Sequence, residues 1–471
     1  MIRTASIRFR AAASLAVLAC AGCVPHVDLE TPPQVVSTQW SRSALGSQGG
    51  AAQAGVQQPL SADLGAMLHS AELSFLLARA DTANTDVAIA GTRIRQARAL
   101  LRNARGAMLP LISASAGISG SRTRPAAVGA SRAFDFSNAF GSLDVAFDLD
   151  LFGGARAGRD AARSRLRAAT FDREAVRLVV QSEVARAYVQ RAALAARIAI
   201  ARRNVTDQEE LERIIRARVA AGDATRVDLG LQTIQVRQLQ TDAQRLDQAL
   251  DQTRTALAVL VGEEAPRFAL PPADLESLSP PAIAPVLPGE LVTRRPDIRA
   301  AEARIDAAGG DVRQARAAFF PSLSLSAGGL LQTANLSNPL TSVVSLGAGL
   351  LAPIFNRGRL RGNLELSAAQ QAEMVELYRR VLLTSLAEVE DALSAVGRSG
   401  ERETLLVDVV REAQLTARLS RMQYLSGDAD LQHVLDAEQR LAEAEDARAV
   451  ALQERLEAAI DLYKALGGAA V

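Results

Sequence analysis

The chain is written twice, and this duplication limits its possible folds more than any other feature. Asp86-Val87, Arg93-Ile94, Ala104-Arg105, Pro110 and Ser113 return as Asp297-Ile298, Arg304-Ile305, Ala315-Arg316, Pro321 and Ser324, each 211 residues later. A short alternating stretch follows each copy and ends in Phe, Gly and Arg punctuation. The two versions are Leu149-Asp150-Leu151-Phe152-Gly153-Gly154-Ala155-Arg156 and Ala352-Pro353-Ile354-Phe355-Asn356-Arg357-Gly358-Arg359. Each half then enters a long helical pattern that contains Glu183-Val184 or Glu388-Val389. Tandem self-similarity makes each half one structural unit, two of which lie in one chain.

Within each half the hydrophobic period changes from 3.6 to 2 and back again. The first helical run covers about 61–108, with a break near Thr82–Asn84. At Pro110 alternation begins: Ile112, Ala114, Ala116 and Ile118 interleave with Ser113, Ser115, Gly117 and Ser119. Next, Leu143, Val145, Phe147, Leu149 and Leu151 interleave with Asp144, Ala146, Asp148 and Asp150. The second half repeats this with Leu323 and Leu325 among serines, then Val344, Leu346, Ala348 and Leu350 among Ser345, Gly347 and Gly349. Strands are therefore expected near 111–122, 139–152, 321–332 and 342–355, apolar on one face and polar on the other. About ten residues of this dyad repeat are the signature of a transmembrane β-strand.

The helices between them are unusually long. Residues 156–219 contain no Pro and no Gly after Gly158, and at 1.5 Å per residue they would extend roughly 95 Å. A turn at Gly222-Asp223 leads to a returning helix that ends near Val261. The matching run is Gly362–Tyr424, broken at Gly397 and Gly400, then Ser426-Gly427-Asp428 and a helix to Leu466. Each half thus gives an antiparallel hairpin with a coiled-coil-like seam. The expected class is mainly α with a β-barrel portion. The first repeat spans 61–262, a Pro-rich linker 263–290, and the second repeat 291–471.

Composition narrows the function. The formal net charge of +1 gives no field that would gather nucleic acid. Aromatics at 4% with abundant Ala suit closely packed helices. Three His and two Cys leave little room for a metal site, and there is no phosphate loop and no nucleophile elbow. No catalytic residue, cofactor or metal is expected. Both cysteines lie at the N-terminus, after Arg3, Arg8, Arg10 and the apolar run Ala11–Ala19. That is an export signal, assigned to residues 1–22, and it is too short to span a bilayer as a helix. Cys23, directly preceded by Ala21-Gly22, fits a bacterial lipid-attachment position, with Cys20 as the runner-up. Residues 23–60 then form a lipidated extended arm. After Cys23 there is no apolar run of about 20 residues, so any crossing of a membrane falls to strands.

Four membrane strands cannot close, because barrels begin at eight and an open edge in hydrocarbon leaves backbone groups unpaired. Other copies must complete the sheet. Two copies give eight strands and a filled interior; three give twelve and a lumen. The small polar faces favour three, in a heterologous ring.

At this point the chain resembles the outer-membrane efflux proteins, the TolC-like outer-membrane factors, and within them the lipoprotein branch paired with resistance-nodulation-division pumps. The carrying residues are Ala21-Gly22-Cys23 with Pro32-Pro33 and Trp40, Arg294-Arg295-Pro296-Asp297-Ile298 with Ala301-Glu302, and Phe319-Phe320-Pro321. Pro353-Ile354-Phe355, Tyr424-Leu425-Ser426-Gly427, Val434-Leu435-Asp436-Ala437 and Ala465-Leu466-Gly467-Gly468 extend the likeness over the mature chain. The resemblance implies a passive trimeric exit duct in the outer membrane, among its lipid, gated at a periplasmic tip. A periplasmic adaptor protein and an inner-membrane pump would complete the machine. It also implies an aperture at Gln432, His433 and Asp436, with adaptor contact at the tips around Gly222, Tyr424 and Gly427. Asp144, Asp148 and Asp150 are read as lumen-facing strand residues. Two alternatives stay open: an outer-membrane component of type I protein secretion, and a periplasmic coiled-coil scaffold with no pore.

Overall fold

The computed structural model describes residues 40, 64–123, 134–271, 273–281, 288–333 and 339–468. Cys20 and Cys23 lie outside the described residues. The chain divides into two compact units, and each half contributes to both. One unit contains Arg93–Ala169 and Ala300–Arg379; the other contains the described parts of Gln34–Thr92, Thr170–Arg299 and Arg380–Val471.

The first half gives α1 (Leu64–Met67), α2 (Ala71–Ala83), α3 (Thr85–Gly106), β1 (Leu111–Thr123), β2 (Phe134–Leu149), α4 (Gly154–Ala221) and α5 (Arg226–Leu260). A 3-10 turn at Ala265–Arg267 and α6 (Pro288–Arg294) lead to the second half. That half gives α7 (Pro296–Ala317), β3 (Ser322–Thr333), β4 (Thr341–Leu351), α8 (Arg357–Ser426) and α9 (Leu431–Ala465). Helix α8 runs unbroken for 70 residues, so the expected breaks at Gly397 and Gly400 do not occur. A glycine inside a helix costs only about 1 kcal/mol, which the packing of a long neighbour offsets. The first helical run is broken at 68–70 as well as at Asn84, because Ser70 caps α2 by accepting from the Leu73 N–H. Strand β2 begins earlier than expected and stops at Leu149; β4 stops at Leu351, just before Pro353, which has no N–H for a ladder.

In the first unit the four strands form one antiparallel sheet in the order β1-β2-β3-β4. Each repeat supplies a hairpin, and β2 pairs with β3 to join them, with Phe147 opposite Leu325 and Val145 opposite Ala327. Because the side-chain period of a strand is two, this register decides which residues share a face. One face collects Ile112, Ala114, Ala116 and Ile118; Leu143, Val145, Phe147 and Leu149; Leu323, Leu325 and Ala327; and Val344, Leu346, Ala348 and Leu350. The other collects Ser113, Ser115, Ser142, Asp144, Asp148, Ser324, Ser326, Ser345, Gly347 and Gly349. Ser115 and Ser142 hydrogen-bond across it at 2.8 Å, and Ser142 donates to Asp144. All four alternations thus coincide in one apolar sheet surface, and it is exposed: Val344 and Leu346 keep 83% and 84% of their surface. Beyond the strand ends Phe152 stacks on Phe320 with ring centroids 4.6 Å apart.

In the second unit the core gathers Leu73, Leu76 and Leu77 of α2, Val180, Val184 and Tyr188 of α4, Leu257 of α5, and Leu456, Ile460 and Tyr463 of α9. The linker docks there through Phe268, Leu275 and Leu278. Trp40 is buried in a second cluster with Leu291, Val389 and Leu466. Tyr188 bonds Ser70 and donates to Glu72 at 2.9 Å; burial first, with the acidic neighbour, pushes its hydroxyl pKa up.

The duplication reappears here as two clasps. Asn84 caps α3 by accepting from the N–H groups of Asp86 and Val87, and its side-chain amide donates to the Leu260 carbonyl at the end of α5, 2.8 Å away. The matching position in the second half is Arg295. It donates to the Ala465 carbonyl at the end of α9 at 2.9 Å, to both Asp297 oxygens, and to Glu388 at 2.7 Å. Although burial opposes its charge, these carboxylates hold the guanidinium pKa above its ordinary value. The first orphan carbonyls beyond each returning helix are thereby met by a side chain from the other strand of the clasp. Gly262 follows α5 at φ 73°, and a Cβ there would sit 2.3 Å from the Ala83 carbonyl oxygen.

Removing one partner of a buried ion pair costs about 3–5 kcal/mol, so Arg295→Ala should lower the stability of the helical unit by that order. Arg295→Lys should recover little of it, since one ammonium cannot span Asp297, Glu388 and the Ala465 carbonyl together. Gly262→Ala should be destabilising by a comparable route, backbone collision. Thermal unfolding followed by circular dichroism checks all three.

Candidate functional site

The two hairpin tips are built alike. At the first, the Gly222 N–H donates to the Val219 carbonyl and the Asp223 N–H to the Arg218 carbonyl at 2.9 Å. At the second, Gly427 and Asp428 make the same bonds to Tyr424 and Gln423. This is the Schellman closure, which needs a left-handed residue, and both glycines have φ 85°. The returning helices are then capped. Thr225 and Asp228 form a reciprocal capping box on α5, and Asp430 caps α9 by accepting from the His433 N–H at 3.1 Å.

His433 and Asp436 are not a shared cluster. The His433 ring lies 2.7 Å from Asp430, and both side chains are exposed. This bond, with the backbone N–H beside it, holds the Asp430 carboxyl below its ordinary pKa. Gln432 instead donates to Asp436 at 2.9 Å, one turn along α9. Tyr424 is engaged from the other hairpin: Arg218 donates to its hydroxyl at 2.6 Å and lies over the ring, 5.5 Å from the centroid. Sequence reasoning placed Arg218 only at the edge of a tip groove. The partnership of an arginine on one hairpin with a tyrosine on the other has no local signal.

Asp144 and Asp148 sit in β2 on its polar face. Asp150 does not belong with them. It lies beyond the strand and accepts from the N–H groups of Ala155 and Arg156 at 3.1 and 2.9 Å, and from the Arg156 side chain. It is the cap of α4; a carboxylate there meets orphan donors at the positive end of a helix.

Back from the tips, α4 and α9 are joined by a ladder with arginine on one side and carboxylate on the other. Arg186 meets Asp461, Arg197 meets Asp446 at 2.6 Å, and Arg203 meets Glu445. Exposed or half-exposed pairs contribute only about 0.2–1 kcal/mol each, so the ladder sets register more than stability. Its last rung is different. Gln232, buried on α5, donates to Gln208 at 2.9 Å, and Gln208 donates to Glu438 at 2.9 Å. Glu438 is mostly buried, with Arg421 4.0 Å away on α8. Burial first, and the nearby Asp207, raise its pKa despite Arg421.

A carboxyl whose pKa is raised by packing resists ionisation, so the packed state loses stability as pH rises through that pKa and regains it on acidification. Glu438→Gln keeps the acceptor for Gln208 and removes the charge. It should raise the melting temperature at neutral pH, and the gain should shrink as pH falls toward the ordinary glutamate value of 4.5. Melting curves of both proteins across that range check it.

The geometry of a one-faced apolar sheet and paired long hairpins agrees with known proteins. The sequence matches the family described as outer membrane efflux protein over residues 76–263 and 287–468. It is 36% identical over 407 residues to the pyoverdine export outer membrane protein OpmQ of Pseudomonas aeruginosa, covering 84% of this chain and 85% of that one. Against the outer membrane protein OprJ of the same organism it is 31% identical over 472 residues, covering 98% and 96%. Its fold superposes on the outer-membrane channel OprN with a TM-score of 0.82 at 27% identity, covering 95% of this chain and 99% of the other. The open state of the MtrE outer membrane channel of Neisseria gonorrhoeae gives 0.81 at 25% identity, covering 95% and 98%. The chain belongs to the outer membrane efflux protein family and is an efflux channel of the outer membrane.

Proposed function

We propose that three copies of this chain form a passive exit duct, fed by an inner-membrane resistance-nodulation-division pump through a periplasmic adaptor protein. The observation that carries this reading is the sheet. Its apolar face is continuous over four strands, and β1 and β4 each have a strand on one side only among the described residues. In hydrocarbon such edges must be paired, and three sheets of four strands give a twelve-stranded barrel wide enough for a lumen. Phe355, the repeat counterpart of the stacked Phe152, is fully exposed beside the β4 edge, where a neighbouring copy would cover it.

In this reading Asp144 and Asp148 face the lumen water. Gln432, His433 and Asp436 of three copies ring the periplasmic aperture, with Arg218 and Tyr424 tying adjacent tips. The turns at Gly222 and Gly427 meet the adaptor, and Cys23 carries the lipid anchor after removal of residues 1–22. The transported molecules are small: the relative OpmQ is named for pyoverdine export, and this favours small-molecule efflux over type I protein secretion.

The two sheet faces should respond oppositely to charge. An arginine on the lipid face near the bilayer midplane costs about 2–4 kcal/mol, so Phe147→Arg should abolish recovery of the protein from outer membranes. Ser115→Arg, on the polar face, should assemble and alter single-channel conductance. Equal tolerance of both substitutions would remove the basis for a membrane barrel and return the scaffold alternative.

A further inference from the structure

The repeat relation continues through the hairpins at a fixed offset of 205 residues. Gly222 matches Gly427, the cap Thr225 matches Asp430, and the helix end Leu260 matches Ala465. Helix α8 is therefore the counterpart of α4, and α5 that of α9. Within the chain one cross-repeat seam is made, α4 against α9, in the antiparallel register fixed by Arg203–Glu445 and Gln208–Glu438. The counterpart seam would join α8 to α5. Its two faces are instead bare. Val227, Leu231 and Ile234 lie on one side of α5, and Leu415 and Leu419 on α8, all exposed.

We infer that a second copy of this chain seats its α5 on α8, in the register of the chain's own α4·α9 seam. The inference rests on the multi-copy duct reading and adds the surface and the alignment. Moving each rung by 205 residues puts Ala413 opposite Thr233 of the next copy and Asp408 opposite Gln240. The same alignment sets Leu415 against Leu231 and Leu419 against Val227, closing the bare apolar positions pairwise. It also brings Arg237 of the next copy, exposed and bonded only to Gln240 of its own helix at 2.8 Å in the described contacts, near Glu412.

The two seams differ in chemistry. The positions matching Arg186–Asp461, Arg197–Asp446 and Arg203–Glu445 are Asp391 and Ala256, Arg402 and Thr241, and Asp408 and Gln240. No arginine–carboxylate ladder crosses between copies. That seam depends on aliphatic contact with a single charge pair, so salt should loosen it less than it loosens the ladder within the chain.

The test is Thr233→Cys combined with Ala413→Cys in the full-length protein, oxidised in outer-membrane fragments, with each single variant controlling for Cys20 and Cys23. The expected result is a reducible ladder reaching three protomers on a denaturing gel, given only by the double variant. A mass of three protomers in detergent without that ladder would overturn the alignment while leaving the duct reading intact; a monomeric mass would overturn both. Should the double variant fail to reach the membrane, the charge pair decides. Arg237→Glu and Glu412→Arg should each lower the temperature at which the oligomer dissociates, and together restore it. Losses that merely add would contradict the contact.

Discussion

An antiparallel sheet of four strands with a greasy face is unfinished, and much of this protein depends on that. Its face has Val344, Leu346, Leu143 and Ile112 open to the surroundings, which suits lipid and not water. Its edges carry backbone groups that hydrocarbon cannot satisfy, at several kcal/mol for each one left unpaired. No rearrangement within one chain removes both edges, since β1 and β4 are the outer strands of the sheet. Duplication eases the problem: a junction that pairs β2 with β3 inside the chain is a template for pairing β4 with β1 of the next copy. In the proposed duct the barrel is this junction repeated around a ring.

The helical unit solves a different problem, how to align helices of 68 and 70 residues without slippage. Its visible charges mislead as to stability. The α4·α9 ladder is largely solvated and contributes little, but a one-turn slip would break every rung at once, so its value lies in register. Stability is concentrated where the returning helices end. There Asn84 and Arg295 each take up a terminal carbonyl, with Gly262 and Gly467 letting backbone approach backbone. The Arg-Arg-Pro-Asp-Ile block is thereby explained physically: Pro296 starts α7, and Arg295, buried beside it, pins that start to α8 and to the last turn of α9.

Much of the fold was legible before any coordinate. Alternation in the four strands was strong enough to foretell which residues share a face, and the hairpin tips announced themselves through Gly222 and Gly427. What was not legible depended on contacts remote in sequence. Asn84 and Arg295 perform one task with unlike side chains, so comparing the repeats residue by residue hides the clasp. Asp150 continued the strand alternation by pattern, yet the nearby start of α4 offered its carboxylate two free N–H groups. Gly397 and Gly400 resembled helix stops, but a local preference of about 1 kcal/mol does not end a helix packed along its length. The Arg218–Tyr424 bond joins residues 206 positions apart, beyond any local signal.

The most direct measurement is the mass of the protein extracted from outer membranes in detergent, by light scattering with the detergent contribution subtracted. Three protomers of 49.8 kDa, less the removed signal segment, is the expected value. A mass of one or two protomers would leave four or eight strands and no open lumen, and would contradict the duct.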